Sequence, residues 1–228
     1  MLIEDNSAVG LVGPNGSGKT SLLRSLCGIG STSGIRLMEG KPLAKGISRQ
    51  LTFTASDPVL INEMNVREFL LFDAAVRGIK LDFREVQTVM NRFGCIGFSE
   101  QKLKTCSLGM RKRVALAAAW SGSPHLVLLD ESTNGLDTEA IFLLKDAISK
   151  TLSEGGTVIL SAHILSFLQD VCTRVIMLDG GLIVDDFDVC DCNVEHIFQE
   201  RFLLKIERKR VDDFSSTYNE VFWCLSCT

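Results

Sequence analysis

The chain has 228 residues, a net charge of −4, 46% hydrophobic and 23% charged residues. That length suits one good-sized core, or one core with a small insertion, and the composition excludes a disordered or fibrous chain. The acidic balance, with a pI of about 5.5, argues against bulk attraction to nucleic acid or to an anionic lipid surface, so no nucleic-acid partner is expected.

Ala8 to Val12 is a short apolar run that ends in glycine and proline, the pattern of a buried strand. Gly13-Pro14-Asn15-Gly16-Ser17-Gly18-Lys19-Thr20 follows, and Thr20 to Cys27 reads as a helix through Leu22, Leu23 and Leu26. Gly34 to Met38 reads as a strand turning at Glu39-Gly40-Lys41-Pro42, and Leu51 to Thr54 as an alternating run before a turn at Asp57-Pro58. From Val66 the period becomes helical: Val66, Phe69, Leu70, Ala74 and Ala75 share one face, and Phe83, Val86, Val89, Met90 and Phe93 another. This is a helical insertion between two β-containing parts.

Ser107 opens an alanine-rich helix, Leu108 to Trp120, and Leu126 to Asp130 is a second buried strand. Ile141, Leu144, Ile148 and Leu152 mark a helix, Thr157 to Leu160 a third buried strand, and Leu165 to Cys172 a short helix. Arg174 to Leu178 and Leu182 to Val184 flank Asp179-Gly180-Gly181 as a hairpin. Val194 to Leu204 suits a helix, and Glu207 to Arg210 a solvated charge run. Strands alternating with helices predict an α/β fold whose mostly parallel sheet has helices on both faces.

Glycines at 13, 16 and 18 let backbone N–H groups close around phosphate oxygens at a helix N-terminus, a strand–loop–helix setting that matches a phosphate-binding loop. In that loop Lys19 reaches the β- and γ-phosphates, and Thr20 offers a hydroxyl oxygen to Mg²⁺. The strand from Leu126 ends in Asp130, suited to the Mg²⁺ shell, and Glu131 follows, placed as general base for an attacking water. ATP and Mg²⁺ are the ligands this chemistry calls for.

Those motifs, in this order, resemble the nucleotide-binding domain of the ABC ATPase family from about Ser7 to Asp185. Gly13 to Thr20 resembles Walker A, Leu126 to Glu131 resembles Walker B with its glutamate, and Asn134-Gly135-Leu136-Asp137 resembles the D-loop. His163 resembles the switch histidine that contacts the γ-phosphate, and Ser107 and Gly109 are the retained serine and glycine of the signature segment. The Ser-x-Gly-Met form resembles subgroups that serve exporters. The resemblance implies a P-loop NTPase fold with a helical insertion at about 62–120 and a reduced antiparallel β subdomain, leaving 186–228 as a C-terminal tail. It implies ATP hydrolysis catalysed by Glu131, His163 and Lys19. It implies that nucleotide is held by Gly13, Pro14, Asn15, Gly16, Ser17, Gly18, Lys19 and Thr20, and across a head-to-tail homodimer or heterodimer by Ser107 and Gly109, with Thr20 and Asp130 expected to hold the metal.

The sequence departs from the family at several points. The Q-loop glutamine falls at Ser56 or Asp57, neither of them Gln, and Gln50 lies too early. Ser132 stands where a proline commonly follows the glutamate. No aromatic residue precedes Gly13, where the family carries further strands and an adenine-stacking aromatic; either the start is truncated or the adenine is held another way.

No apolar run reaches the roughly 18–20 residues of a membrane helix; the best candidate, Val158 to Leu168, contains Ser161, His163 and Ser166. Nor does the N-terminus carry a signal peptide's basic and apolar regions. The expected setting is therefore cytoplasmic, peripheral to a membrane through a separate transmembrane permease subunit. An ABC ATPase without a transporter and a nucleotide-binding regulator with little turnover are the alternatives. Eight cysteines read as reduced thiols; the set Cys190, Cys192, His196, Cys224 and Cys227 matches no standard zinc spacing.

Overall fold

The computed structural model describes residues 1–29, 37–38, 41–42 and 50–203. Its main body is a six-stranded sheet in the order β4-β5-β6-β1-β7-β8, built from β1 (Ala8–Val12), β4 (Leu51–Thr54), β5 (Leu126–Asp130), β6 (Thr157–Ser161), β7 (Arg174–Asp179) and β8 (Leu182–Asp188). The first five are parallel and β8 turns back antiparallel on β7. A separate antiparallel pair, β2 (Leu37–Met38) with β3 (Lys41–Pro42), matches the reduced β subdomain. The rest of the strand expected from Gly34 lies outside the described residues.

Both faces of the central strands are apolar, and the period-2 alternation of the strands divides them. Ala8, Val127, Leu129, Val158, Leu160 and Met177 enter one cluster, with α4 (Leu108–Trp120), α5 (Thr138–Ser153) and α6 (Leu165–Val171). Val9, Leu11, Leu128, Ile159 and Ile176 enter the other, with Leu23 and Cys27 of α1 (Lys19–Leu26) and the residue after it. Burial on both sides is what a parallel sheet between helix layers requires.

The helical insertion begins with α2 (Val66–Val76) and α3 (Phe83–Arg92). Each starts in a reciprocal capping box, Asn65 with Glu68 and Asp82 with Glu85, which satisfies orphan N–H groups at both helix starts. In α4, residues 112–120 are buried without a polar face. Alanines there let α2, α3 and β4 approach closely. At its end Trp120 packs on Phe93, ring centroids 5.3 Å apart, and donates its indole N–H to Thr151 at 2.8 Å.

Several boundaries differ from the sequence expectation: Lys41–Pro42, expected in a turn, forms β3, and β6, α6 and β7 end one residue from the expected position. Helix α1 begins one residue early, at Lys19, because Gly18 supplies the turn into it. Strand β8 runs on to Asp188 rather than stopping at Val184, because its pairing with β7 continues as far as Arg174 with Asp188. Beyond it, α7 (Val194–Phe198) and a π-helical turn, Gln199–Leu203, lie in the span expected to be helical. Gln169 of α6 ties this segment down by accepting from the Val194 N–H and donating to the Cys192 carbonyl. Cys224, Cys227 and the charge run Glu207 to Arg210 lie outside the described residues. Among the described residues no cluster of metal-ligating side chains occurs, and no helix is long and apolar enough to cross a membrane.

Candidate functional site

Parallel pairing puts the carboxyl ends of β1, β4, β5 and β6 on one edge of the sheet, the edge where α/β folds gather ligands. The loop 13–18 leaves β1 there. It is pinned from the β7–β8 side: Gly181 donates its N–H to the Ser17 carbonyl at 3.0 Å, and Gly13 lies so close to Leu178 that a Cβ would stand 2.1 Å from the Leu178 carbonyl oxygen. Gly18, at φ 106°, swings the chain into α1, and no side chain caps that helix start. Its first amides and its positive dipole end are therefore presented to whatever occupies the loop.

Lys19 is buried, and its ammonium donates to the Gly13 and Pro14 carbonyls at 2.8 and 3.0 Å. Burial pulls its pKa down, while the nearby carboxylates of Glu131 and Asp130 pull it up. A cavity of about 150 Å³ is lined by Asn15, Gly16, Gly18, Lys19, Thr20 and, from across the sheet edge, Glu131 among others. Ser17 instead faces inward, with its hydroxyl buried.

Asp130 is 1% exposed, and its Oδ1 accepts from the Thr20 hydroxyl at 3.0 Å and the Ser161 hydroxyl at 2.9 Å. Ser161 is register-paired with Asp130 across β5 and β6. Its hydroxyl and carbonyl oxygens also accept from the Glu131 N–H, at 2.9 and 3.0 Å. That grip holds Glu131 at φ +48°, a left-handed conformation uncommon for a non-glycine residue and typical of functional sites. It turns the side chain off the strand toward the loop cavity. There His163 Nε2 meets Oε1 at 2.8 Å, and Asn134 donates its amide to Oε2 at 3.1 Å. With an ionised carboxylate, the first contact places a proton on Nε2.

Ser107 and Gly109 lie apart from this cavity. Ser107 caps α4 by accepting from the Met110 N–H at 3.2 Å, and a Cβ on Gly109 would stand 3.6 Å from the Gly135 carbonyl oxygen. Gly109 therefore lies against the loop that follows Glu131, and neither residue lines the cavity of the phosphate loop. Sequence reasoning missed Ser161 and Lys112, whose ammonium donates to the Asn134 carbonyl. The one available signal for Ser161 was its place at the end of a buried strand.

The strand order, the glycine loop opening α1 and the acidic end of β5 together define a P-loop α/β fold. The sequence profile described as "ABC transporter" matches residues 1–134, and the chain belongs to that family. The lantibiotic transport ATP-binding protein SrtF of Streptococcus pyogenes is 29% identical over 91% of each chain. The uncharacterized ABC transporter ATP-binding protein YhcH of Bacillus subtilis is 30% identical over 90% of this chain and 68% of its own. Among solved structures, an ATP binding subunit of an ABC transporter superposes with a TM-score of 0.76 at 24% identity, covering 93% of this chain and 90% of that one. A nucleotide-free ATP-binding cassette gives 0.70 at 17% identity, over 82% of each.

Proposed function

We propose that this chain is the ATP-hydrolysing subunit of an ABC transporter, driving a separate membrane permease through ATP-dependent head-to-tail dimerisation. The observation that carries the reading is the convergence of Glu131, held by His163 and Asn134, on the cavity of the phosphate loop.

In this reading the loop amides and the start of α1 bind the triphosphate. Lys19 exchanges its two carbonyl partners for β- and γ-phosphate oxygens. Glu131 orients and deprotonates the water that attacks the γ-phosphorus, ADP leaves, and His163 contacts the γ-phosphate. Mg²⁺ fits the donor set, because Thr20 Oγ1 and Asp130 Oδ1 are hard oxygens 3.0 Å apart beside the loop. When bound it supplies charge neutralisation on the phosphates. Ser107 and Gly109, turned away from their own loop, face a second subunit's nucleotide.

The permease contact rests on the groove of about 270 Å³ between β4 and the helical insertion. Val59 is an exposed apolar side chain of the groove, Phe72 and Val76 are exposed on α2, and Asp57, Asp73 and Arg77 also line the groove. Such a surface fits a short amphipathic segment of the membrane partner, and this reading puts the chain on the cytoplasmic face.

The test is phosphate release from Mg-ATP, with gel filtration in ATP, for wild type and Glu131→Gln. The variant is expected to lose about 10²–10⁴-fold in turnover while trapping an ATP-bound dimer. Equal turnover would remove Glu131 from its role. The absence of glutamine at Ser56 and Asp57 favours a second reading, a nucleotide-binding regulator. That reading predicts ATP binding without phosphate release by the wild type.

A further inference from the structure

Lys112 lies in the second turn of α4, with only 9% of its surface exposed. Lysine is seldom buried so deeply without a partner for its ammonium. Here that partner is the main-chain carbonyl of Asn134. Asn134 in turn donates its side-chain amide to Glu131 Oε2 at 3.1 Å, so the ammonium is one residue removed from the carboxylate proposed as base. Gly135 lies beside it: a Cβ there would stand 4.0 Å from Lys112 Cε and Nζ, ordinary van der Waals contact. The other flank of the Lys112 side chain meets the loop after β4. Ser56, Pro58 and Ser132 surround the same small void as Lys112. Burial pulls the lysine's pKa down, and the fields of Asp57 first and Glu131 second oppose that pull.

We propose that Lys112 is a positioning residue for hydrolysis, holding the Asn134 loop so that Glu131 keeps its orientation, and joining that loop to the Asp57 loop after β4. The inference rests on the reading of Glu131 as general base. Its physical content is a cation set between two loops. The Asn134 loop carries the group that holds the base, and the Asp57 loop borders the apolar groove beside the helical insertion. A displacement of Asp57 changes the field at Lys112, and through the Asn134 carbonyl it changes the aim of Glu131. Where the family places a glutamine in the loop after β4, this chain has Ser56 and Asp57 and reaches the catalytic loop through a lysine on α4.

The experiment compares steady-state phosphate release, ATP binding and thermal unfolding for wild type, Glu131→Gln, Lys112→Met, Lys112→Arg, Asp57→Asn and Asn134→Ala. Lys112→Met is expected to lower kcat about tenfold, the effect of one lost charged hydrogen bond on the barrier. KM and ATP affinity should stay within about twofold, since ground-state binding is untouched. Lys112→Arg should recover most of the rate by restoring a cation, and Asp57→Asn, at an exposed position that does not threaten the fold, should cost about threefold in kcat, roughly 0.7 kcal/mol. Combining Lys112→Met with Asn134→Ala should cost no more than Asn134→Ala alone, because both act through one chain of contacts. The proposal is overturned if Lys112→Met hydrolyses ATP at the wild-type rate while Glu131→Gln does not. It is also overturned if Asp57→Asn leaves kcat unchanged or if the double variant shows multiplied losses. Equal phosphate release by wild type and Glu131→Gln would instead overturn the reading of Glu131, and with it this inference.

Discussion

His163 Nε2 and Glu131 Oε1 stand 2.8 Å apart, one from the loop after β6 and the other from the loop after β5. The pair spans two neighbouring strands, so its geometry is set by the sheet rather than by either loop alone. His163→Ala leaves the Glu131 carboxylate with Asn134 as its hydrogen-bond partner among the described residues. Turnover should fall about 10–100-fold, at or below the roughly 10²-fold lower limit for a group that itself transfers the proton, with ATP affinity preserved. Phosphate release together with equilibrium ATP binding measures both, and unchanged release would make the contact incidental.

Asp130 is buried and carries two hydroxyl donors on one oxygen, from Thr20 and Ser161. Ser161→Ala removes one of them and one of the two acceptors for the Glu131 N–H, while the Ser161 carbonyl remains. Stability should fall by about 1 kcal/mol, the net effect of a typical buried hydrogen bond, read from urea unfolding. Asp130→Asn should instead abolish the Mg²⁺ dependence of ATP binding, measured by titration with and without the metal. Retained Mg²⁺ dependence in that variant would remove Asp130 from the metal shell.

Two glycines of the loop predict opposite outcomes for the same substitution. Gly13→Ala would drive a Cβ to 2.1 Å from the Leu178 carbonyl oxygen, so the backbone of the loop or of β7 must shift, with loss of ATP binding. Gly16 has φ +79° and open space around its Cβ position. Gly16→Ala should therefore cost about 1 kcal/mol of conformational strain and keep a folded protein. Calorimetric ATP binding with thermal unfolding separates the two.

Burial pushes the Cys95 thiol up to about 12, well above its ordinary value. The folded state therefore holds this proton after the unfolded chain has released it. Stability is fully present below the unfolded pKa near 9 and is lost between there and about 12, by about 1.4 kcal/mol per pH unit. Urea midpoints measured from pH 8 to pH 10.5 should fall with rising pH, and Cys95→Ala should fall less steeply from a lower starting point. Parallel slopes for the two proteins would contradict the assignment.

Local pattern made much of this fold legible. The apolar runs at Ala8, Leu126 and Thr157 have the length and composition of buried strands, and the alanine-rich segment after Ser107 forms the helix Leu108–Trp120 it predicts. The phosphate loop was legible for the same reason, since its glycines, its lysine and the helix behind it are consecutive in the chain. The full length of β8 was not, because Asp185, Asp186 and Asp188 look like loop residues until pairing with β7 gives them a strand to join, where Arg174 meets Asp186 at 2.6 Å.

The sequence by itself determined which side chains were available and in what order: a phosphate loop, an Asp-Glu pair closing a strand, a histidine closing the next, and a serine heading a helix. The tertiary structure decided which of them meet. Parallel register sets Ser161 beside Asp130, the grip on the Glu131 amide turns its carboxylate toward the loop, and the packing of α4 brings the Lys112 ammonium to Asn134. The physical reason is that strand and helix periodicities are written within a few residues. Contacts between the ends of separate strands depend on register and layer packing, which the whole core fixes at once.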